Sequence, residues 1–502
     1  MKLDRLLFRA FLPLTLVCLS CGDNNTPPGQ QMGSGGPGSM RGGSGDGGAP
    51  ATGGAPGTGG SGGAPGTGGA GGAPANPLAC ADIFDQGTLA TYDFDITADQ
   101  WASLESEFND LTMLDAGIDF ATYHPITFHL NGETVTDAQI KLHGQSSWAQ
   151  TVMFDGDKAK MQFDVSFAQT NKAGAFHGVS KLVFDMPRDD WTFMHDRLSQ
   201  AWLRQVGVMA PCSASARLNI NGTYYGLYVL EQGVGDGTIR AFFPNNAGGD
   251  LWKGGVQLET NTTGNTTRLK TFRAAEDLTS LAAIMDIPGS LNAWSAEAII
   301  NDSDGYYNGS HNFWLYDQGA AGFIFQPQDT DSTWDWLATF DLSGAQDHPI
   351  YWWVSRAKPA PIPGDKWGVV FADAGWRVKY ADAIENLLGQ FDVAQIQGWI
   401  DTWSQQISAA ATSDPHAWAT AAQIQKATQT ARAIVPERAA YLQSFVDCEH
   451  GVAGVATDVD GDGYTWCNDC DDNNAAVNPG APEICGNGID DNCNSFVDEG
   501  CP

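Results

Sequence analysis

Residues 301–312 read NDSDGYYNGSHN, and two apolar stretches follow, FWLYD at 313–317 and GFIFQPQ at 322–328. Asp329-Thr330-Asp331 comes directly after the second. A loop of Asp and Asn, a hairpin and then further carboxylates is the layout that phosphoryl transfer needs. One carboxylate faces an acceptor hydroxyl, while an amide and a second carboxylate hold a divalent cation on the phosphates. Asp and Asn also gather in loops for turn and cap chemistry, so this pattern alone selects no function.

A second set lies in the tail. Asp458, Asp460 and Asp462 alternate, Gly463 stands where a sharp turn is required, Tyr464 offers its carbonyl, and Asp469 falls twelve residues into the run. That is the spacing with which a loop wraps calcium in six to eight oxygens. Asp490, Asn492, Asn494 and Asp498 repeat the alternation less fully. Residues 80–448 contain no G-x-x-x-x-G-K-[ST], G-x-S-x-G or H-E-x-x-H motif.

These residues need elements to position them. TYDFDIT (91–97), PITFHL (125–130), AQIKLHG (138–144) and KMQFDVSF (160–167) alternate apolar and polar residues, as half-buried strands do. SARLNINGTYYGLYVLE (215–231) predicts a hairpin turning at Asn221-Gly222. MHDRLSQAWLRQVG (194–207) predicts a helix closed by Gly207, and the segment from about 380 to 446 is helical in pattern. The span 80–448 is longer than one core usually serves, so two lobes of α+β type are expected. Residues 449–502 are rich in Asp, Asn, Gly and Cys and require disulfides or metal to hold a shape.

The N-terminal region gives the chain an address. Lys2, Arg5 and Arg9 precede the apolar run FLPLTLVCLS, too short to span a bilayer and suited to a signal peptide over residues 1–21. Leu19-Ser20-Cys21 reads as a lipoprotein processing site with Cys21 as the lipidated residue, which implies a bacterial envelope protein held at the outer membrane or cell surface. Residues 22–79 are almost wholly Gly, Ala, Pro, Ser and Thr, with GGAPGTGG recurring, and are expected to form a flexible tether. Of ten cysteines, eight remain once Cys18 and Cys21 are set aside, an even number consistent with disulfides. Cys80 and Cys212 are expected to pair, as are the six from Cys448 to Cys501 among themselves. A formal charge of −33 disfavours nucleic acid and favours divalent cations.

With these blocks in hand, residues 88–446 resemble the CotH family of spore-coat protein kinases, atypical relatives of the protein-kinase fold. The resemblance is carried in order by IKLHGQSSW, KAKMQFDV, DRLSQAWLRQVGVMAP, ARLNINGTYYGLYVLEQ, GDLWKGG, NDSDGYYNGSHNFWLY and FIFQPQDTDSTW. It implies a two-lobed kinase-like domain using ATP with Mg²⁺ or Mn²⁺. Asp304 would be catalytic, Asp329 and Asp331 would bind metal, and Asn308 or Asn312 would be a further ligand. Lys160, with Lys158 as runner-up, would contact phosphates, and Glu231 would support the lysine or the metal. Arg197 is expected in a salt bridge. The family's Arg before Gly144 is His143, its tryptophan before the catalytic Asp is Ser303, and one strand lysine is Ala159. Residues 457–501 resemble the MopE-type metal-binding motif. With no Met or His there, calcium is the better match than copper.

The expected activity is phosphorylation of Ser or Thr on a surface or coat protein. Its rivals are a non-catalytic calcium-binding scaffold or adhesion protein on a degenerate kinase fold, and a metal-scavenging lipoprotein.

Overall fold

The computed structural model describes residues 80–113, 121–144, 146–186, 188, 190–261, 263–306, 312–334, 366–493, 497, 498 and 500. The expected signal segment with Cys21, the Gly/Ala/Pro-rich tether and Asn308 lie outside them.

Seven strands close into a barrel: β1 (Ala90–Asp95), β2 (His124–Leu130), β3 (Glu133–Leu142), β4 (Phe163–Ser166), β5 (Lys181–Asp185), β6 (Ser213–Ile220) and β7 (Thr223–Gln232). Their order is β1-β2-β3-β4-β5-β7-β6, and a parallel pairing of β6 with β1 completes the ring. The predicted hairpin turn is present, with Asn221 and Gly222 at φ 50° and 75°, values that Asn and Gly tolerate. The alternation seen in sequence sends Tyr92, Phe94, Phe128, Phe163, Phe184 and Tyr228 inward. Neighbouring rings there meet edge-on or tilted, such as Phe94 and Phe184 at 5.1 Å. Cys80–Cys212 ties the segment before β1 to β6.

Register along the outside of the barrel has a consequence for the site. Lys141 of β3 stands opposite Asp164 of β4, Asp164 opposite Val183 of β5, and Val183 opposite Glu231 of β7. Lys181 and Asp185 flank Val183 on the same face, because side chains alternate with period two. The inward residues Leu182 and Phe184 belong to the core, so this charged row faces outward.

A second, four-stranded sheet contains β8 (Asp250–Lys253), β9 (Gln257–Leu258), β10 (Phe313–Asp317) and β11 (Phe323–Pro327) in the order β11-β10-β8-β9. Four helices matter for the site: α1 (His195–Gln205), α2 (Ile287–Ile299), α3 (Val393–Ser413) and α4 (Ala421–Glu449). They share one large apolar cluster with the second sheet, separate from the cluster inside the barrel.

Helix α1 is buried over almost its whole length, polar residues included. Arg197 lies on it at 0% exposure, donating to Gln86 Oε1 and O, Ser215 Oγ on β6 and Gln406 Oε1 on α3, and lying 4.0 Å from the Trp403 ring. The expected salt bridge is therefore replaced by neutral acceptors and an aromatic face. Burial pulls its pKa down to about 9, partly opposed by Asp85.

Lys160 requires a larger correction. It precedes β4 rather than lying on it, is wholly buried, and donates to Asp414 Oδ2 at 2.8 Å and to Leu227 O at 2.6 Å. Tyr228 lies under the ammonium at 4.3 Å. Asp414, just past the end of α3, also accepts the Leu227 N–H. Lys160 thus clamps the barrel to the helical part and is not presented to phosphates. Lys158 is exposed and donates to Pro415 O, beside the same clamp. Removing one partner of a buried pair leaves an uncompensated charge, so Asp414→Ala is expected to cost about 3–5 kcal/mol in denaturant unfolding. The double change Lys160→Met with Asp414→Leu is expected to cost far less, and equal losses would overturn the clamp.

Candidate active site and tail metal centre

The β10–β11 hairpin brings its two ends together, so Asn312 before β10 meets Gln328 after β11, with Gln328 N donating to Asn312 O at 2.9 Å. Asn312 and Asp329 adopt φ of 46° and 55°, a left-handed conformation that Asn and Asp accept more readily than bulkier residues. Asn312 Nδ2 donates to Asp304 Oδ2 at 3.0 Å.

The Asp304 loop is held from three sides. It leaves the end of α2, where the buried Arg438 of α4 donates from Nε and Nη2 to Ala298 O. The Asp302 carboxylate accepts the Asp304 N–H at 3.1 Å. Ser303 donates from both its N–H and its hydroxyl to Ser332 O, at 3.0 and 2.9 Å. This last pair joins the Asp304 loop to the Asp329–Asp331 loop, and it employs the serine that stands where the family has tryptophan.

The Asp329–Asp331 loop is anchored to α1. Asp196 Oδ1 accepts both the Thr330 N–H at 2.8 Å and its hydroxyl at 2.9 Å. His195 Nδ1 lies 3.0 Å from Asp331 O. Trp334, with Trp336 beyond the described residues, is buried and donates to Ser199 Oγ at 2.9 Å, a structural contact.

These elements gather carboxylates. Asp304 and Asp329 are exposed, Asp331, Asp185 and Glu231 are half-buried, and Asp196 is buried. Glu231 accepts from Gln200, one turn along α1 from Asp196. Burial and the nearby Asp329 push the Asp185 carboxyl up to about 6. Burial, Asp185 and Asp329 push Glu231 up to about 8. Burial holds Asp196 well above the usual carboxylate range, reinforced by Glu231, Asp331, Asp329 and Asp185. Like charges in a poorly solvated cleft disfavour ionisation unless cations enter.

On the same barrel face, Asp164 is surrounded by Lys141 at 3.6 Å, His143 at 3.0 Å and Lys181 at 3.4 Å. Burial would raise its pKa, but these neighbours more than offset it and hold the carboxyl below its usual range. Asp185, Asp196 and this cationic group were missed in sequence. Register, a signal spread over three strands, is what places Asp185 and the cations there.

The tail folds against the helical cluster, which includes Cys448 and Cys467, with Trp466 packed on it. Disulfides join Cys448–Cys467 and Cys470–Cys493, and Cys485 is disulfide-bonded as well. Asp460, Asp462 and Asp469 each bring a carboxylate oxygen within 4.8 Å of the others, and so do Asp458, Asp460 and Asp472. Asp472 was not foreseen. Gly463, at φ 99°, allows the turn, and Tyr464 N donates to Asp462 Oδ1. Oδ2 of Asp460, Asp462 and Asp469 is buried without a hydrogen-bond partner among the described residues. Burial, Asp462, Asp460 and Asp472 push Asp469 up to about 6. Cys470 and Cys493, which lie beside Asp469, are bonded to each other, so this donor set is oxygen and suits a hard cation.

The fold is thus α+β, with a closed barrel, a cluster of carboxylates beside it and an oxygen-rich tail. The family model described as CotH kinase protein matches residues 140–442, more than half of the chain, and the chain belongs to that family. A model for a metal-binding motif of the MopE type, whose label refers to copper, matches residues 469–499. No curated protein matches the chain.

A cation bound only by the folded tail stabilises it by about 2.7 kcal/mol at a hundredfold excess over Kd. Chelation is expected to lower the calorimetric midpoint of the wild-type chain and to leave the variant Asp460→Asn/Asp469→Asn unmoved. Identical wild-type midpoints with and without chelator would rule out the tail site.

Proposed function

We propose that the chain transfers the γ-phosphate of ATP to a Ser or Thr hydroxyl of a cell-surface or coat protein, in a two-lobed, kinase-like arrangement of barrel and helical part. The supporting observation is the continuous hydrogen-bonded path Asn312–Asp304 loop–Ser303–Ser332, which sets Asp304 beside the Asp329–Asp331 loop. Mg²⁺ or Mn²⁺ with ATP would neutralise charge on the phosphates. Asp329 and Asp331, both bearing oxygen donors at the mouth of the cleft, hold that cation. Asn312 orients Asp304, and Asp304 positions the acceptor hydroxyl and takes its proton. With Lys160 and Lys158 committed elsewhere, the groups that meet the phosphates are Lys141 and Lys181, with the His143 imidazole beside them.

In this reading the tail cation is calcium, and Cys21 carries the lipid that holds the chain at the envelope surface. No helix among the described residues is long and apolar enough to cross a membrane. One observation favours the rival scaffold reading. The burial of Lys160 removes the lysine expected at the phosphates, and a calcium-bearing surface protein that binds no nucleotide would tolerate that loss.

Labelled ATP, Mg²⁺ or Mn²⁺ and generic protein acceptors separate the two. Asp304→Ala and Asp329→Ala are each expected to reduce transfer on the order of 100-fold or more. ATP affinity should fall for Asp329→Ala and change little for Asp304→Ala. A folded wild-type chain that neither binds ATP nor transfers phosphate with either metal would establish the scaffold instead.

A further inference from the structure

Asp185 and Asp196 have no role in the assignment above beyond the grip of Asp196 on Thr330. Asp196 is 1% exposed. Both contacts to Thr330 fall on Oδ1, and Oδ2 is buried with no hydrogen-bond partner among the described residues. An unmatched polar atom at such a depth is costly, and a carboxylate oxygen is satisfied only by a donor or a cation. The groups around Asp196 are themselves carboxylates. Glu231 is held by Gln200, one turn further along α1, while Asp329 and Asp331 flank Thr330. Asp185 is diagonal to Glu231 across the β5–β7 pairing.

Charge sets the number of ions. Ionised, Asp185, Asp196, Glu231, Asp329 and Asp331 carry five negative charges; one divalent cation leaves three, and two leave one. ATP is itself an anion, and residual negative charge beside its phosphates would repel them, which Lys253 near Glu231 and Lys160 near Asp185 offset only in part.

We propose that Asp196 and Asp185 are ligands of a second divalent cation, Mg²⁺ or Mn²⁺, more deeply buried than the one held by Asp329 and Asp331. This rests on the reading of Asp329 and Asp331 as cation ligands. The alternative is that Asp196 only positions Thr330.

Asp196→Asn separates these, because asparagine keeps an acceptor for Thr330 and loses the anionic ligand. The full chain is titrated with Mn²⁺ and followed by electron paramagnetic resonance, in which two neighbouring Mn²⁺ ions give a spin-coupled signal. The coupled signal is expected in wild type and in the tail control Asp460→Asn. It should vanish in Asp196→Asn and in Asp185→Asn, each binding one Mn²⁺ fewer, with the thermal midpoint of Asp196→Asn unchanged. Asp185→Asn keeps the test open if Asp196→Asn folds poorly. Retention of the coupled pair in both variants, or a wild-type cleft holding one Mn²⁺, would overturn the proposal. Phosphate transfer is assayed in parallel. A coupled pair without transfer leaves the second cation standing and removes the kinase reading, whereas transfer with a single bound Mn²⁺ does the reverse.

Discussion

Helix α1 is buried along nearly its whole length although it carries Asp196, Arg197, Ser199 and Gln200. Buried polar groups must find partners, and each of these finds one in a different part of the molecule. Asp196 holds Thr330, Arg197 joins the barrel to α3, Ser199 receives Trp334, and Gln200 reaches Glu231 on β7. The cleft is therefore built around one helix whose desolvation is tolerable only when barrel, hairpin and helical part are in place together.

The same logic governs the cations. Lys160 donates to Leu227 O, Lys366 to the carbonyls of Arg273 and Ala275, Arg438 to Ala298 O, and Arg197 to Gln86 O. These four side chains are at most 2% exposed, and each donates to a backbone carbonyl. Deep cations thus lock elements to one another. With the chain at −33 overall, a divalent ion is the natural complement of the gathered carboxylates.

The tail extends this architecture. Helix α4 both caps the loop of Asp304 through Arg438 and runs on to Cys448, which is bonded to Cys467. Tyr441 of α4 lies 6.1 Å from the Trp466 ring and 5.3 Å from the Arg438 guanidinium. The tail cannot build a core of its own, and it borrows one from the helical cluster.

What the amino-acid sequence determined by itself is local. The Asn221-Gly222 turn, the inward alternation of the barrel strands, the close of α1 at Gly207, and the Asp458–Asp469 loop follow from backbone preference and short spacing. The sequence marks Asp304, Asp329 and Asp331 as neighbours because a hairpin between them has only one way to bring its ends together. Tertiary structure decided the rest. Lys160 was lost to the site because Asp414, 254 residues on, claims it in a place where water cannot compete. Asp185 and Asp196 lie near one another because strand register and a buried helix converge there, and no spacing along the chain encodes that meeting. Charge in a folded protein is assigned by desolvation, which depends on what comes to lie around a residue and not on what stands beside it in sequence.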